Sequence, residues 1–511
     1  MIYCDGFPTL PNDLSPTGEE RRGDWMTMTA QPRSERYDTT TDTADTAPAT
    51  PGAPRFVVGR YVARVTALLP DGLAHAIVTE ALDAPAEDVL RAIYGPAWDA
   101  RPELHSVTEA FDVIGALSGE LVELEVSWSL PRPGRKRARR TPPPVVRLTR
   151  VIESAPERVA PPCPVFGMCG GCQLQQMAYP AQLAWKTERV RDLLRGSGFA
   201  DPPVRAAIGC EPPWNYRNHM RFSVDRDGRV GLTARGTHRL IPLTTCPIAE
   251  PRINDALAAL AQEPQPQPQA LVRYGVATGQ MLLQPAPQPG TRARLAAAGL
   301  DLRDETMEEE IGAARFRIRP SSFFQTNTAQ AQVMARLALA ELPSGPEVTL
   351  VDAYCGVGVF ARLMAERAGR VLAIEESASA VRDARWNLRE TPQVEIIQAK
   401  VEDDLPTRAE RIDGLIIDPP RAGCQRPVLD ALATRRPPVV VYISCGPTTL
   451  ARDLAYLCHT TGAYRLRSVQ PLDMFPQTAH IENIATLDAI EDAIEDATVS
   501  VTETKETEAR A

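Results

Sequence analysis

The sequence predicts an α/β fold: an open, mostly parallel sheet covered by helices on both faces, preceded by a small β-barrel and a mixed α+β region. Three observations predict it. In the last third of the chain, the apolar runs TLVDAY (349–354), RVLAIE (370–375), EIIQAK (395–400), DGLIID (413–418) and VVVYIS (439–444) alternate with helical stretches such as 377–389 and 448–458. Apolar strands alternating with helices bury both faces of a sheet. Upstream, FVVGRYVARVTALL, LVELEVSWSL and VVRLTRVIE read as short strands separated by turn-rich pieces, the pattern of a small barrel. Between them, YPAQLAWKTERVRDLLRGSGF reads as a helix, with Leu183, Val190, Leu193 and Leu194 at helical spacing and Gly196 as its stop. Strand-like runs such as MRFSV and LVRYGV follow it, and PQPQPQ (264–269) reads as a loop or linker.

A chain of 511 residues with 43% hydrophobic content supplies several packed cores, which excludes a single small module. The expected divisions are a disordered extension (1–54), the barrel (55–155), the mixed central region (156–309), the α/β region (310–487) and an acidic disordered tail (488–511). No stretch approaches the roughly 18 consecutive apolar residues of a membrane span. The N-terminus lacks the basic-then-apolar order of a secretory signal, so the expected compartment is the cytoplasm. The net charge of −9 is unevenly spread. Residues 1–54 carry −5 and residues 488–511 carry −6, which leaves the body between them at +2. A slightly basic body with local basic patches is compatible with RNA. RPGRKRARR holds Arg132, Arg135, Lys136, Arg137, Arg139 and Arg140, and two readings stand for it: a solvated loop, or an arm that contacts phosphates.

The strand ends carry the chemistry, because ligands of open α/β sheets bind at the carboxyl ends of the strands. The first apolar strand runs into VDAYCGVGVF (351–360), where Gly356 and Gly358 allow a sharp turn and close approach to a ligand. The second ends at Glu375, a carboxylate suited to the hydroxyls of a ribose. The third glycine of a dinucleotide fingerprint would fall at Ala361, so a nucleoside cofactor fits this turn better than a dinucleotide. The fourth strand ends in DPPRAGC (418–424), a rigid turn that aims Asp418 at the cleft. SCGP (444–447) sets Cys445 at a strand terminus, either as a nucleophile or as a small buried hydrophobe. Downstream, Glu482 interrupts the apolar IENIATL, either as a general base or as an outward-facing residue of an edge strand. CPVFGMCGGC (163–172) and the later Cys246 offer four thiolates, suited to zinc or to an iron–sulfur cluster.

Together these pieces resemble the RNA uridine-C5 methyltransferases that use S-adenosylmethionine, especially their iron–sulfur branch, the 23S rRNA 5-methyluridine enzymes. SAPERVAPPCPVFGMCGGCQLQ, NYRNHMRFSV, PSSFFQTN, DAYCGVGVF, IIDPPRAGC, YISCGP and DMFPQTAHIE match in the family's order, over about residues 110–487. The resemblance implies a Rossmann-like class I methyltransferase domain, a central iron–sulfur domain and an N-terminal OB-like barrel of the TRAM type. IGALSGELVELEV matches that barrel, whereas its glycine-rich first half is not recognisable.

It further implies that Cys163, Cys169, Cys172 and Cys246 ligate a 4Fe-4S cluster supporting fold and RNA binding without redox turnover. Gln325, Tyr354, Glu375 and Asp418 match cofactor-contacting positions, Cys445 the nucleophile and Glu482 the base. The implied partner is RNA, 23S rRNA ahead of tRNA, bound by a monomer; a tRNA enzyme and a catalytically degenerate RNA-binding relative are the alternatives. The residue types suit the reaction. Carbon 5 of uracil is a poor nucleophile, and a thiolate adding at carbon 6 makes carbon 5 electron-rich; a base then removes its proton so that the thiolate can leave. The target base must also leave its stack. Two positions depart from the family pattern: Gly446 stands where SCNP has asparagine, and Val359 where Asn or Thr is usual.

Overall fold

The computed structural model describes residues 56–94, 109–129 and 144–490. The 1–54 extension, the basic run at 132–140 and residues 491–511 of the acidic tail therefore lie outside the described residues, whereas Asp488 and Ala489, expected in that disordered tail, are the last residues of a paired strand. No helix among the described residues is long and apolar enough to cross a membrane.

The first strands are β1 (Phe56–Leu68), β2 (Ala74–Asp83), β3 (Ala110–Val113), β4 (Leu121–Ser129) and β5 (Val145–Glu153). They form an antiparallel sheet in the order β3-β2-β1-β4-β5, and β3 and β5 return to within 8 Å of each other. Period-two alternation drives it: Tyr61, Ala63 and Val65 of β1 and Val122, Leu124, Val126 and Trp128 of β4 all point inward. Tyr61, Phe111 and Trp128 pack as a tilted aromatic trio inside. Sequence periodicity missed β2, whose exposed second half, VTEALD, carries no alternation. Arg158 ties this sheet to the chain that follows, donating to the buried Glu120 and to the Gly115 carbonyl.

The central region holds β6 (His219–Val224), β7 (Val230–Thr233), β8 (Leu240–Pro242), β9 (Gln269–Tyr274), β10 (Gln280–Gln284) and β11 (Asp301–Arg303), in the order β11-β10-β9-β6-β7-β8. Helices Pro251–Leu260 and Pro289–Ala297 close its core around Phe222, Val272 and Met281. A hairpin of β12 (Met307–Ile311) and β13 (Ala314–Ile318) leads onward.

The last sheet contains β14 (Gly345–Ala353), β15 (Ala368–Glu375), β16 (Val394–Gln398), β17 (Gly414–Ile417), β18 (Val439–Ser444), β19 (Tyr464–Leu472) and β20 (Glu482–Ala489). Its order is β16-β15-β14-β17-β18-β20-β19. β14 to β18 run parallel, and β19 and β20 complete the sheet antiparallel. Its inner strands are buried on both faces, which is why they read as unbroken apolar runs.

Two features lock the central region onto this sheet. The segment around Val204 and Ile208 bridges in parallel to Val469 and Leu472, so it covers the exposed side of β19. Lys186, on the helix Tyr179–Gly196, donates to Asp473 at 2.6 Å, and both side chains are fully buried. Tyr179 donates to the other oxygen of Asp473 at 3.0 Å, and Lys186 also reaches the Phe475 carbonyl.

Candidate active site

The sheet order turns distant residues into one row. Glu375 ends β15, Tyr354 follows β14, Asp418 follows β17, Cys445 follows β18, and Glu482 begins the antiparallel β20. These five strands are neighbours in that order, so all five residues stand on one edge of the sheet. Ser444 pairs with Asn483 in the β18–β20 ladder, and the next position of that register sets Cys445 opposite Glu482. Glu482 is therefore not an edge residue. β20 lies between β18 and β19, and the carboxylate is buried.

The cofactor end is built from turns that need glycine. Gly356 and Gly358 both have positive φ, and a Cβ on Gly358 would stand 2.9 Å from Leu388. The Gly356 amide donates to Glu375 at 3.0 Å and the Ser377 amide donates to its other oxygen at 2.7 Å, which fixes that carboxylate over the turn. The Tyr354 hydroxyl donates to Glu402 at 2.8 Å. Asp352, one residue inside β14, accepts from the Ala361 amide through one oxygen, while its other oxygen is buried without a partner.

Burial dominates the electrostatics. It raises Asp352 to about 7, with Asp418 and Glu375 adding to the rise. Asp418 is raised to about 6 by burial. Glu482 is raised to about 8 by burial and by Asp418, and Arg421 works in the opposite direction. Burial also raises the Cys445 thiol, helped by Glu482 and Asp418. The row is thus a set of acidic groups crowded into a poorly solvated edge, whose ionised forms a cationic ligand would favour.

A cleft of about 760 Å³ opens on the Cys445 side of this row and not over Glu375 or Tyr354. Three parts of the chain wall it: Asp71 of the β1–β2 turn; Arg189, Arg235 and His238 of the central region; and Cys445 with His480.

The thiols of Cys163, Cys169, Cys172 and Cys246 are electrostatic neighbours of one another. Burial raises Cys172 to about 12, with Cys246, Cys169 and Cys163 adding to the rise. Burial also raises Cys169, with Cys246 and Cys163 contributing. The Gly171 amide donates to Cys169 sulfur, and Asn254 brackets the Cys246 backbone with two hydrogen bonds. Among the described residues, no three His, Cys, Asp or Glu side chains form the ligand set of a single metal ion.

Among the described residues, no side-chain hydrogen bond joins Gln325 to the strand-end row, and only its carbonyl accepts one, from Asn218. Its loop is held from behind: Asn218 donates to its carbonyl, Ser322 donates to the buried Asp383, and Asn327 donates to the Met474 carbonyl. The two departures have local accounts. A Cβ at Gly446 would lie 2.7 Å from Thr449 Oγ1 and 3.0 Å from the Arg421 carbonyl, so the Thr449 hydroxyl occupies the space a side chain would need. Val359 opens the helix Val359–Met364 and packs against the core.

Sequence reasoning missed His480, Arg421 and Lys186. The first two stand inside quoted motifs, two residues before Glu482 and three after Asp418. Lys186 had a signal of its own: it falls three residues after Leu183 and four before Val190, on the apolar stripe of its helix.

Comparisons with known proteins show the family and the fold. Residues 294–489 match the family model for tRNA (uracil-5-)-methyltransferase. An uncharacterized RNA methyltransferase of Thermosynechococcus vestitus is 38% identical over 391 residues, covering 67% of this chain and 87% of the relative. One from Gloeobacter violaceus is 35% identical, covering 67% and 85%. Among solved structures, the Pyrococcus abyssi tRNA (uracil-54, C5)-methyltransferase in complex with S-adenosyl-L-homocysteine superposes with a TM-score of 0.56 at 24% identity, over 74% of this chain and 94% of that one, a likeness of fold.

Proposed function

The chain belongs to the RNA uracil-C5 methyltransferase family and is an S-adenosylmethionine-dependent RNA methyltransferase, and from that premise we propose that it methylates carbon 5 of a uridine in 23S rRNA through a covalent bond between Cys445 and the uracil ring. The observation that carries this reading is the facing of Cys445 and Glu482 across the β18–β20 register, with Asp418 beside both.

S-adenosylmethionine supplies the methyl group on a positively charged sulfur. Glu375, fixed by two amides, would accept the ribose hydroxyls, with Tyr354, Asp418 and Gln325 completing the contacts to the cofactor. Cys445 sulfur bonds to carbon 6 of the uracil, and the ring's double-bond electrons move toward carbon 5 and the carbon-4 carbonyl. Carbon 5 takes the methyl group. Glu482 then removes the proton from carbon 5, the carbon–sulfur bond breaks, and the thiolate is restored. A carboxylate raised to about 8 is a stronger base than a solvated one, as this last step requires.

The four thiols fit a 4Fe-4S cluster by donor chemistry, and Cys163, Cys169, Cys172 and Cys246 would hold it. Bound there, it would brace the 163–172 loop, whose Gly170 lines the cleft. The choice of 23S rRNA rests on this quartet. The alternation and near-closure of β1–β5 support an OB-like barrel over 55–155, ahead of an iron–sulfur domain over 156–309 and the methyltransferase domain over 310–487. The enzyme would work in the cytoplasm as a monomer. Incubation with S-adenosylmethionine carrying a labelled methyl group, separately with unmodified 23S rRNA and tRNA, tests the reading. Labelled 5-methyluridine in 23S rRNA, absent with Cys445→Ala, is expected; label in tRNA alone reassigns the substrate.

A further inference from the structure

His480 lies two residues before Glu482 and lines the same cleft as Cys445. The scaffold fixes its ring from several directions. Its amide donates to Thr478 Oγ1 at 3.2 Å, the carbonyl of the preceding Ala479 accepts from Arg189 at 2.6 Å, and Phe475 packs edge-on against the imidazole with centroids 6.0 Å apart. Arg421, from the turn after Asp418, places Nη2 at 3.3 Å from His480 Nδ1. A guanidinium has only donors, so Nδ1 must accept, and the ring proton must therefore sit on Nε2. No hydrogen-bond partner for Nε2 is found among the described residues, and Nε2 is not among the buried atoms that lack one. Burial, together with Arg421, Lys186, Arg217 and Arg189, pushes the ring down to about 3, so it stays neutral at working pH. The result is a neutral, oriented N–H on the wall of the cleft that holds the nucleophile.

Resting on the proposed uracil chemistry, we propose that His480 is a further catalytic residue, whose Nε2–H donates a hydrogen bond to the carbon-4 oxygen of the target uracil as that oxygen gains charge. When Cys445 sulfur bonds to carbon 6, the electron pair of the carbon 5–carbon 6 bond spreads onto carbon 5 and the carbon-4 oxygen, forming an enolate. A donor held in place before the reaction stabilises that charge without reorganising. No proton changes hands. The neutral imidazole serves better here than an imidazolium, which would protonate the enolate and drain the electron density that carbon 5 needs to accept the methyl group. Arg421 is the positioning residue that selects the tautomer.

The test uses the full-length holoenzyme with the RNA that wild type methylates and with the same RNA carrying 5-fluorouridine, whose carbon-5 fluorine blocks elimination and traps the adduct. His480→Ala and His480→Asn should each lower both kcat and the rate of adduct formation about 100-fold, the usual cost of one such donor. RNA affinity and thermal melting should stay close to wild type. His480→Gln, whose amide reaches the Nε2 position, should recover to within about 10-fold of wild type. If Ala and Asn leave the adduct rate within about twofold, or if Gln is as slow as Ala, the inference is overturned. A wild-type enzyme that forms no 5-methyluridine overturns the functional reading itself, a distinct result.

Discussion

The strand-end row and the wall around His480 differ in the charged groups they gather. At the cofactor end, Asp352, Glu375 and Asp418 crowd together with carboxyl groups raised by burial. At the outer end, burial and then four cations, Arg421, Lys186, Arg217 and Arg189, hold His480 neutral. Each would suit a ligand of the other sign: a sulfonium at one end, the phosphodiester backbone of RNA at the other. Cys445 and Glu482 stand at the seam. The contrast teaches that a single edge of a sheet can select two ligands of opposite charge if its two kinds of group differ in origin: the ends of β14, β15 and β17 supply the acids, while the cations come from the helix Tyr179–Gly196, the segment before β6 and the turn after Asp418.

The sharpest way to break the comparison is at the seam. Cys445→Ala should reduce methyl transfer on the order of 10⁴-fold or more, while S-adenosylmethionine binding measured by calorimetry is retained. Glu482→Gln should instead accumulate RNA-linked protein, visible on a denaturing gel, because elimination stalls after methyl transfer.

Next in size is the buried pair behind the outer half. Burial lowers the Lys186 pKa against the pull of Asp473, so the charge is held at a cost. Lys186→Met should destabilise the protein by about 3–5 kcal/mol in urea unfolding, and adding Asp473→Leu should recover much of it.

Salt separates the two halves directly. If Arg189, Arg217, Arg235 and Arg421 each meet a phosphate, RNA affinity should fall about 50-fold between 50 and 200 mM salt. S-adenosylmethionine affinity should change less than about twofold over the same range.

The pH dependence follows from the raised carboxyls, at about 7 for Asp352, 6 for Asp418 and 8 for Glu482. Because these values exceed the unfolded ones, near 4, their contribution to stability is full below about pH 4 and is lost as pH rises from there through the folded values of about 6 to 8. The ligand-free protein should therefore melt at lower temperature at pH 8 than at pH 6. A cationic ligand favours the ionised forms, so S-adenosylmethionine affinity should rise about tenfold across that window with proton release. S-adenosylhomocysteine, with its neutral sulfur, should change little; equal rises for both would break the charge argument.

The smallest effect is expected at Gly446→Asn. With φ of −118° the position is open to any residue, and the Thr449 hydroxyl is the side-chain atom in the way. Activity should stay within about threefold.

Much of the row was legible in the sequence because each parallel strand announces its end: an apolar run stops at VDAY, VLAIE, IIDPP or YISCGP. What the runs did not reveal was the order in which the strands lie, and that order alone decides whether Glu482 faces Cys445 or solvent. The insertion of β20 between β18 and β19 is a long-range pairing without a local signature. His480 and Arg421 were hidden for a similar reason. Each becomes interesting only when the other stands 3.3 Å away, 59 positions along the chain. Lys186 was the readable omission, a cation on an apolar stripe with no partner nearby in sequence. The strand β2 escaped because half of it faces outward with mixed residues, leaving no period to detect.

The Lys186–Asp473 pair joins a helix near residue 186 to the segment leading to Glu482, almost three hundred positions later. Neither half keeps a comfortable interior without the other, since each would bury a lone charge. Recombination between relatives is thereby constrained: a chimera that inherits its catalytic end from one parent and the helix from another works only if the ion pair crosses the junction intact. The modules of this enzyme are separable on paper, but they descend as a unit.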